Sequence, residues 1–232
     1  MSYKYYADKT SEAQLTFVND HVFANINNQE WLIDTGAPTS FGLSNSLEIN
    51  GHEFELYSNY LGLSAKELSM HTGHVVHGLI GTDVLNQFNV VMDYDNEKIA
   101  FSNEEVAMKG IEIPMRKFMG IPIINVGIDG QNRKMFFDTG AQISYWQGSC
   151  INAYEPVGTM KDFYPGFGEF ETKVYSIDIE LEGKPFNIRC GVLPNALEMA
   201  LSMGGTEGII GNEIMKNRVV GYFPKKDQLV VS

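Results

Sequence analysis

The chain has 232 residues, 44% apolar and 20% charged, which suits one large or two smaller globular cores and excludes a disordered segment. With 17 Lys and Arg against 29 Asp and Glu, its formal net charge of −12 argues against nucleic acid and against an anionic membrane surface as partners. No apolar core of signal length lies between Met1 and Asp20 and no window approaches a membrane span, so a cytoplasmic protein without membrane insertion is expected. The two cysteines, Cys150 and Cys190, are expected to be free thiols.

In chain order, the first predicted element is a β-hairpin. Val22 to Ile33 reads as an apolar alternating run, a polar turn at Asn27-Asn28 and a second apolar run, which delivers Asp34-Thr35-Gly36-Ala37 at a strand end. A second hairpin follows at Glu48–Phe54, with Asn50-Gly51 as its turn. His71, His74 and His77 stand three apart, but Gly73 and Gly78 break a helix through them and no carboxylate spacing completes a metal site. A loop or edge position is expected there. His77-Gly-Leu-Ile-Gly-Thr-Asp-Val-Leu85 then leads through a short helix-like stretch into a closing hairpin, Asn89–Phe101.

The order then repeats. Ile123 to Phe137 is another hairpin ending in Asp138-Thr139-Gly140-Ala141, and Glu207-Gly-Ile-Ile-Gly-Asn-Glu-Ile-Met215 echoes the earlier Gly-Leu-Ile-Gly run before a closing hairpin at Arg218–Val231. Two motifs recurring in the same order imply duplication, with a boundary near Ala107–Ile111: an N-terminal lobe, residues 1–108, and a C-terminal lobe, residues 109–232. Leu197–Leu201 reads as a short amphipathic helix, and Trp31, Phe136 and Phe137 read as core or interface packing. Tyr145 and Trp146 fit either a substrate pocket or lobe packing.

The halves are unequal. Asp34 to Gly81 spans 47 positions and Asp138 to Gly211 spans 73, whereas the stretches after the Gly51 and Gly183 turns match closely. The excess therefore lies between Asp138 and Gly183 and contains a Gly- and aromatic-rich tip, Asp162–Phe170, followed by an alternating strand pattern.

Paired Asp-Thr-Gly with paired apolar-Gly runs resembles the aspartic protease superfamily, in both its pepsin-like and retropepsin-like branches, from about Val22 to the C-terminus. The Ala after each Gly resembles retropepsins more than pepsins, which usually have Ser there. The resemblance implies a mostly β fold of two pseudo-symmetric closed-sheet lobes with few short helices, and an aspartic endopeptidase with Asp34 and Asp138 as its catalytic carboxylates. It further implies that Thr35 and Thr139 hold the two loops together across the lobes, with Gly36, Ala37, Gly140 and Ala141 supporting them. The tip of the long segment resembles a retropepsin flap, with Tyr164, Gly166, Phe167 and Gly168 over the substrate. The shorter first half leaves no room for an equivalent. No cofactor and no metal are implied; the partner is a peptide or protein substrate, and the active unit is a monomer because one chain supplies both carboxylates.

The chemistry suits these residues. Two adjacent carboxylates sharing a proton can activate a water with one and polarise a carbonyl with the other. Without a Ser hydroxyl after each Gly, one stabilising donor to the ionised form is missing, so an acidic to mildly acidic optimum, less extreme than pepsin's, is expected. The rival reading is a catalytically inactive peptide-binding module on the same fold; a structural protein using the cleft as an interaction surface has nothing specific in its favour.

Overall fold

The computed structural model describes residues 2–232. It is mostly β, with short helices at Ala65–Thr72, Thr82–Leu85 and Glu198–Gly204. Among the described residues no helix is long and apolar enough to cross a membrane.

Turn chemistry sets the hairpins. Strands His21–Ile26 and Gln29–Ile33 are joined by Asn27 and Asn28 at φ 54° and 62°. Strands Ile121–Ile128 and Gln131–Phe137 are joined by Asp129 and Gly130 at φ 52° and 71°. Two consecutive left-handed residues make the tight turn that matches strand twist, and Asn, Asp and Gly are the residues that tolerate it. Ser46–Ile49 and His52–Glu55 close in the same way through Asn50 and Gly51.

The apolar-Gly runs form strands that lie parallel to the Asp-bearing strands. Gly78, Leu79 and Ile80 pair with Trp31, Leu32 and Ile33, while Gly208, Ile209 and Ile210 pair with Met135, Phe136 and Phe137. Phe41–Gly42 and Ser144–Trp146 flank these runs on the other side, antiparallel. Parallel pairing needs a long crossover. That crossover holds the Ala65–Thr72 helix in the first half and the Glu198–Gly204 helix in the second.

Six strands drawn from both halves form one antiparallel sheet, in the order Thr10–Val18, Lys98–Ser102, Asn89–Asp93, Val219–Phe223, Gln228–Val231 and Ile111–Phe118. Its buried residues, Val90, Met92, Ile99, Phe101, Ile113, Val220, Tyr222 and Leu229, belong to a core that continues beneath both Asp loops.

Two expectations need correction. The Ala65–Thr72 helix places His71 in a last helical turn, with His74 and His77 in the loop beyond. Ser64 and Glu67 form a capping box, and Gly73, at φ 65°, ends the helix. The first half also does contribute a cover: Asn59–Tyr60 and Leu63–Ser64 make a miniature hairpin turning at Leu61 and Gly62, φ 51° and 83°. Cys150 is exposed, Cys190 is buried, and neither is in a disulfide.

Candidate active site

Asp34 and Asp138 each follow the last residue of a strand, and the backbone N–H of each donates to the neighbouring parallel strand. Asp34 bonds Ile80 O at 3.0 Å and Asp138 bonds Ile210 O at 2.9 Å. Each loop then folds back on its own carboxylate. The Gly36 and Ala37 N–H groups donate to Asp34 Oδ1 at 2.8 and 3.0 Å, and those of Gly140 and Ala141 donate to Asp138 Oδ1 at 2.8 and 3.3 Å.

The loops interlock through their threonines. Thr35 Oγ1 donates to Phe137 O at 2.8 Å and accepts from the Thr139 N–H at 3.0 Å. Thr139 Oγ1 donates to Ile33 O at 2.6 Å and accepts from the Thr35 N–H at 3.0 Å. Both threonines are buried. The glycines make the approach possible, because a Cβ on Gly36 would lie 2.3 Å from Asp138 Cγ and one on Gly140 would lie 2.5 Å from Asp34 Cγ.

The two carboxyl groups lie close enough for each to act on the other's titration. Two carboxylates ionised side by side repel, and a hydrogen bond through one shared proton relieves this, so the pair is disposed to hold one proton. Each residue keeps partial exposure to the cleft, yet the carboxyls lie deep enough for burial to be the leading influence on both. Asp34 is held well above the usual carboxylate range by burial, then by the charge of Asp138 and the bond to it. Asp138 is raised as well: burial lifts it and the charge of Asp162 adds to this, while the bond from Asp34 and the Gly140 and Ala141 N–H groups favour its ionised form.

These carboxyls floor a cavity of about 470 Å³. Leu32, Phe41, Leu63, Leu68 and Leu79 wall it from the first half; Phe118, Ile121, Phe136, Leu201 and Ile209 wall it from the second. The roof is the long hairpin of Pro156–Tyr164 and Gly168–Leu181. Its tip has Pro165 followed by Gly166 at φ 77°, and the Phe167 N–H donates to Tyr164 O at 3.0 Å, a turn that requires Gly at its third position. Gly168, at φ 101°, restarts the return strand.

Tyr164 lines the cavity, and burial followed by the charges of the Asp pair raises its hydroxyl above the ordinary tyrosine range. Tyr60, on the miniature hairpin, is raised by burial and then by Asp34. Leu61 at that hairpin's tip is 3.9 Å from where a Gly166 Cβ would stand, so the two tips meet. Phe167 departs from expectation: it is 43% exposed, packs edge-on against Phe170, and does not line the cavity. The roof rings that do are Phe163 and Phe170. Phe163 stacks on His71 of the helix, centroids 3.7 Å apart, and His71 Nδ1 is 3.8 Å from Glu169 Oε1, so the long hairpin is seated on the first half.

Four cavity residues carry no motif. His21 Nδ1–H donates to Gly140 O at 3.3 Å, which leaves Nε2 to accept from Gln142 Nε2 at 2.6 Å. Burial holds His21 below the usual histidine range, and the neutral ring braces the Asp138 loop. Asp162 accepts a short hydrogen bond from the hydroxyl of Tyr145. Tyr145 therefore lines the cavity, whereas Trp146 is fully buried in the core. Alternation along the 156–164 strand puts Asp162 on the face shared with Tyr164, a signal present in the sequence. Nothing local in the sequence links His21 to Gln142. Among the described residues no cluster of three or more His, Cys, Asp or Glu could hold a metal ion.

No protein-family model matches this chain, and no curated protein matches it. Among solved structures, the solution structure of simian foamy virus (mac) protease is similar at 18% identity, over 39% of this chain and 87% of that one, with a TM-score of 0.29. That likeness is too slight to carry an argument about fold or function.

Proposed function

We propose that the chain is an aspartic endopeptidase in which Asp34 and Asp138 share one proton and activate a water against a peptide carbonyl. The observation that carries this reading is the reciprocal junction of the two Asp-Thr-Gly-Ala loops, which sets the two carboxyls side by side at the floor of a covered cleft. The ionised member takes the proton of the water as oxygen attacks, and the protonated member donates to the carbonyl oxygen. The tetrahedral carbon then expels the amine, which takes a proton from the carboxyl that received one from water, while the other carboxylate recovers its proton from a hydroxyl of the tetrahedral carbon as the acid forms. Nothing covalent forms with the protein. N–H donors fixed by the loops stabilise the ionised carboxylate without reorganising.

In this reading residues 1–108 and 109–232 are two pseudo-symmetric closed-sheet lobes, each lending one Asp loop, and the active unit is a monomer. The substrate lies extended below the long hairpin, whose tip opens to admit it, and pairs its backbone with the roof by strand addition. Support for one rigid floor comes from the six-strand sheet shared by the halves.

The test is a peptide library incubated with wild type, Asp34→Asn and Asp138→Asn across pH 3–8, with a statine-containing peptide as a transition-state mimic. Cleavage by wild type and its loss in both variants is the expected result. Binding of the mimic without any cleavage would mark an inactive peptide-binding module, and loss in only one variant would overturn the shared-proton mechanism.

A further inference from the structure

Asp162 stands in the cleft as a further carboxylate that no cation pairs with. Its Oδ1 accepts from the Phe163 N–H at 2.7 Å and its Oδ2 accepts from the buried Tyr145 hydroxyl. Among the described residues it forms no ion pair with Lys, Arg or His. Tyr164 and Phe170 share its face of the hairpin; Lys161 also lines the cavity, but as the next residue along the strand it projects from the other face and makes no ion pair with Asp162. Its charge reaches Asp138 and His21, which places it on the Asp138 side of the floor. The remaining walls of the cavity are largely apolar.

An anion anchored by two donors, without an ion-pair partner and facing a largely apolar cleft, is a receptor for a cation. A carboxylate oxygen accepting one hydrogen bond still has a lone pair for a second donor. Tyr145, buried at the cavity wall, fixes the carboxylate so that little ordering is required when the ligand arrives.

We propose that Asp162 is a specificity-determining residue: its carboxylate ends a subsite on the Asp138 side of the cleft and selects a peptide carrying arginine or lysine there. This rests on the peptide-cleft reading given above. The alternative role for Asp162 is purely structural, fastening the base of the hairpin to Tyr145, and the two roles differ in one measurable ratio.

The experiment uses paired peptides in which a single position at a time is arginine or its neutral isostere citrulline, and reads the ratio of kcat/KM within each pair. A charge-assisted hydrogen bond predicts a ratio of roughly 10 to 100 at one position in wild type. Asp162→Asn should bring that ratio near one, and Asp162→Glu should restore part of it; Asp162→Ser reads the same ratio if the Asn variant does not fold. No arginine preference at any position, or a ratio unchanged in Asp162→Asn, overturns the proposal. If wild type cuts no peptide, the endopeptidase reading fails separately, and the ratio is read from binding of statine-containing arginine and citrulline peptides. An arginine preference there, lost in Asp162→Asn, sustains the subsite; equal binding or none overturns it.

Discussion

Replacing Thr35 with valine tests whether the interlocked loops hold the floor of the cleft. Valine keeps the branched shape and removes one hydroxyl, which at present satisfies the Thr139 N–H and the Phe137 carbonyl. The site is buried, so water cannot replace it. An orphaned buried N–H costs roughly 1–3 kcal/mol and the lost bond to the carbonyl about 1 kcal/mol, so about 2–4 kcal/mol in all. In a chain of this length each kcal/mol lowers the midpoint by roughly 2–4 °C. Urea titration and calorimetry on Thr35→Val, Thr139→Val and the double variant measure it. Each hydroxyl bonds the other loop's backbone, so the double variant should depart from additivity by about 0.5–3 kcal/mol. A loss below about 0.5 kcal/mol in the single variants, or strict additivity, would show that packing alone sets the loops together.

Three further outcomes are expected. Both carboxyls titrate above their unfolded values, so the folded state binds protons more tightly; its stability from these groups is full below the ordinary carboxylate range and is lost as pH rises through the raised values. Asp34→Asn should therefore melt above wild type at pH 7, by about 1.4 kcal/mol per unit of elevation, with the gap closing toward pH 4; a gap that widens on acidification would contradict this. Gly36→Ala should abolish cleavage while circular dichroism stays native, since its methyl would displace the Asp138 carboxyl; retained activity would mean that the loops can part without loss. His71→Ala removes the ring under Phe163 and the contact to Glu169, so amides 161–170 should exchange hydrogen faster while those of Gln29–Ile33 do not change. Unchanged exchange at the hairpin would assign its seating to the Leu61–Gly166 tip contact instead.

The parts of this molecule legible in its sequence are those fixed by local chemistry. Asn27-Asn28 and Asp129-Gly130 announce two-residue turns, and apolar alternation announces the strands that end at Asp34 and Asp138. The capping box at Ser64 and Glu67 and the Gly73 stop also spell out a helix, although the histidine spacing draws attention away from it. Contacts between distant segments left no such mark. The pairing of Val90 with Tyr222 depends on two runs 132 positions apart meeting edge to edge, and either run alone reads only as a closing hairpin. Which roof ring faces the cavity depends on where the long strand leaves the sheet, so Phe163 and Phe170 could not be told from Phe167 by composition. Asp162 was visible as a residue and invisible as a site, because its meaning comes from its bond to Tyr145 and from its lack of an ion-pair partner.

The floor and the roof differ in how tightly the two halves constrain each other. At the floor each glycine's missing side chain is the space occupied by the other loop's carboxyl, and each threonine hydroxyl satisfies the other loop's backbone. A change in one loop is therefore felt at once in the other, and both retain Asp-Thr-Gly-Ala. One layer below, the coupling is already looser. The cross-strand row Trp31, Gly78, Gly42 has its counterpart in Met135, Gly208, Trp146. Each row fills its volume with one tryptophan, but from opposite ends, and a Cβ on Gly42 would stand 2.8 Å from the Trp31 ring. One tryptophan is kept in each row while the strand that carries it is exchanged, and the second row, with Met135 at its other end where the first has only Gly42, holds the larger volume. The roof has no reciprocal partner to satisfy, so one half can carry a six-residue hairpin and the other a hairpin long enough to cross the cleft and rest on His71. Substrate selection by Asp162 arises on that long hairpin, where a residue faces the cleft without disturbing the shared floor.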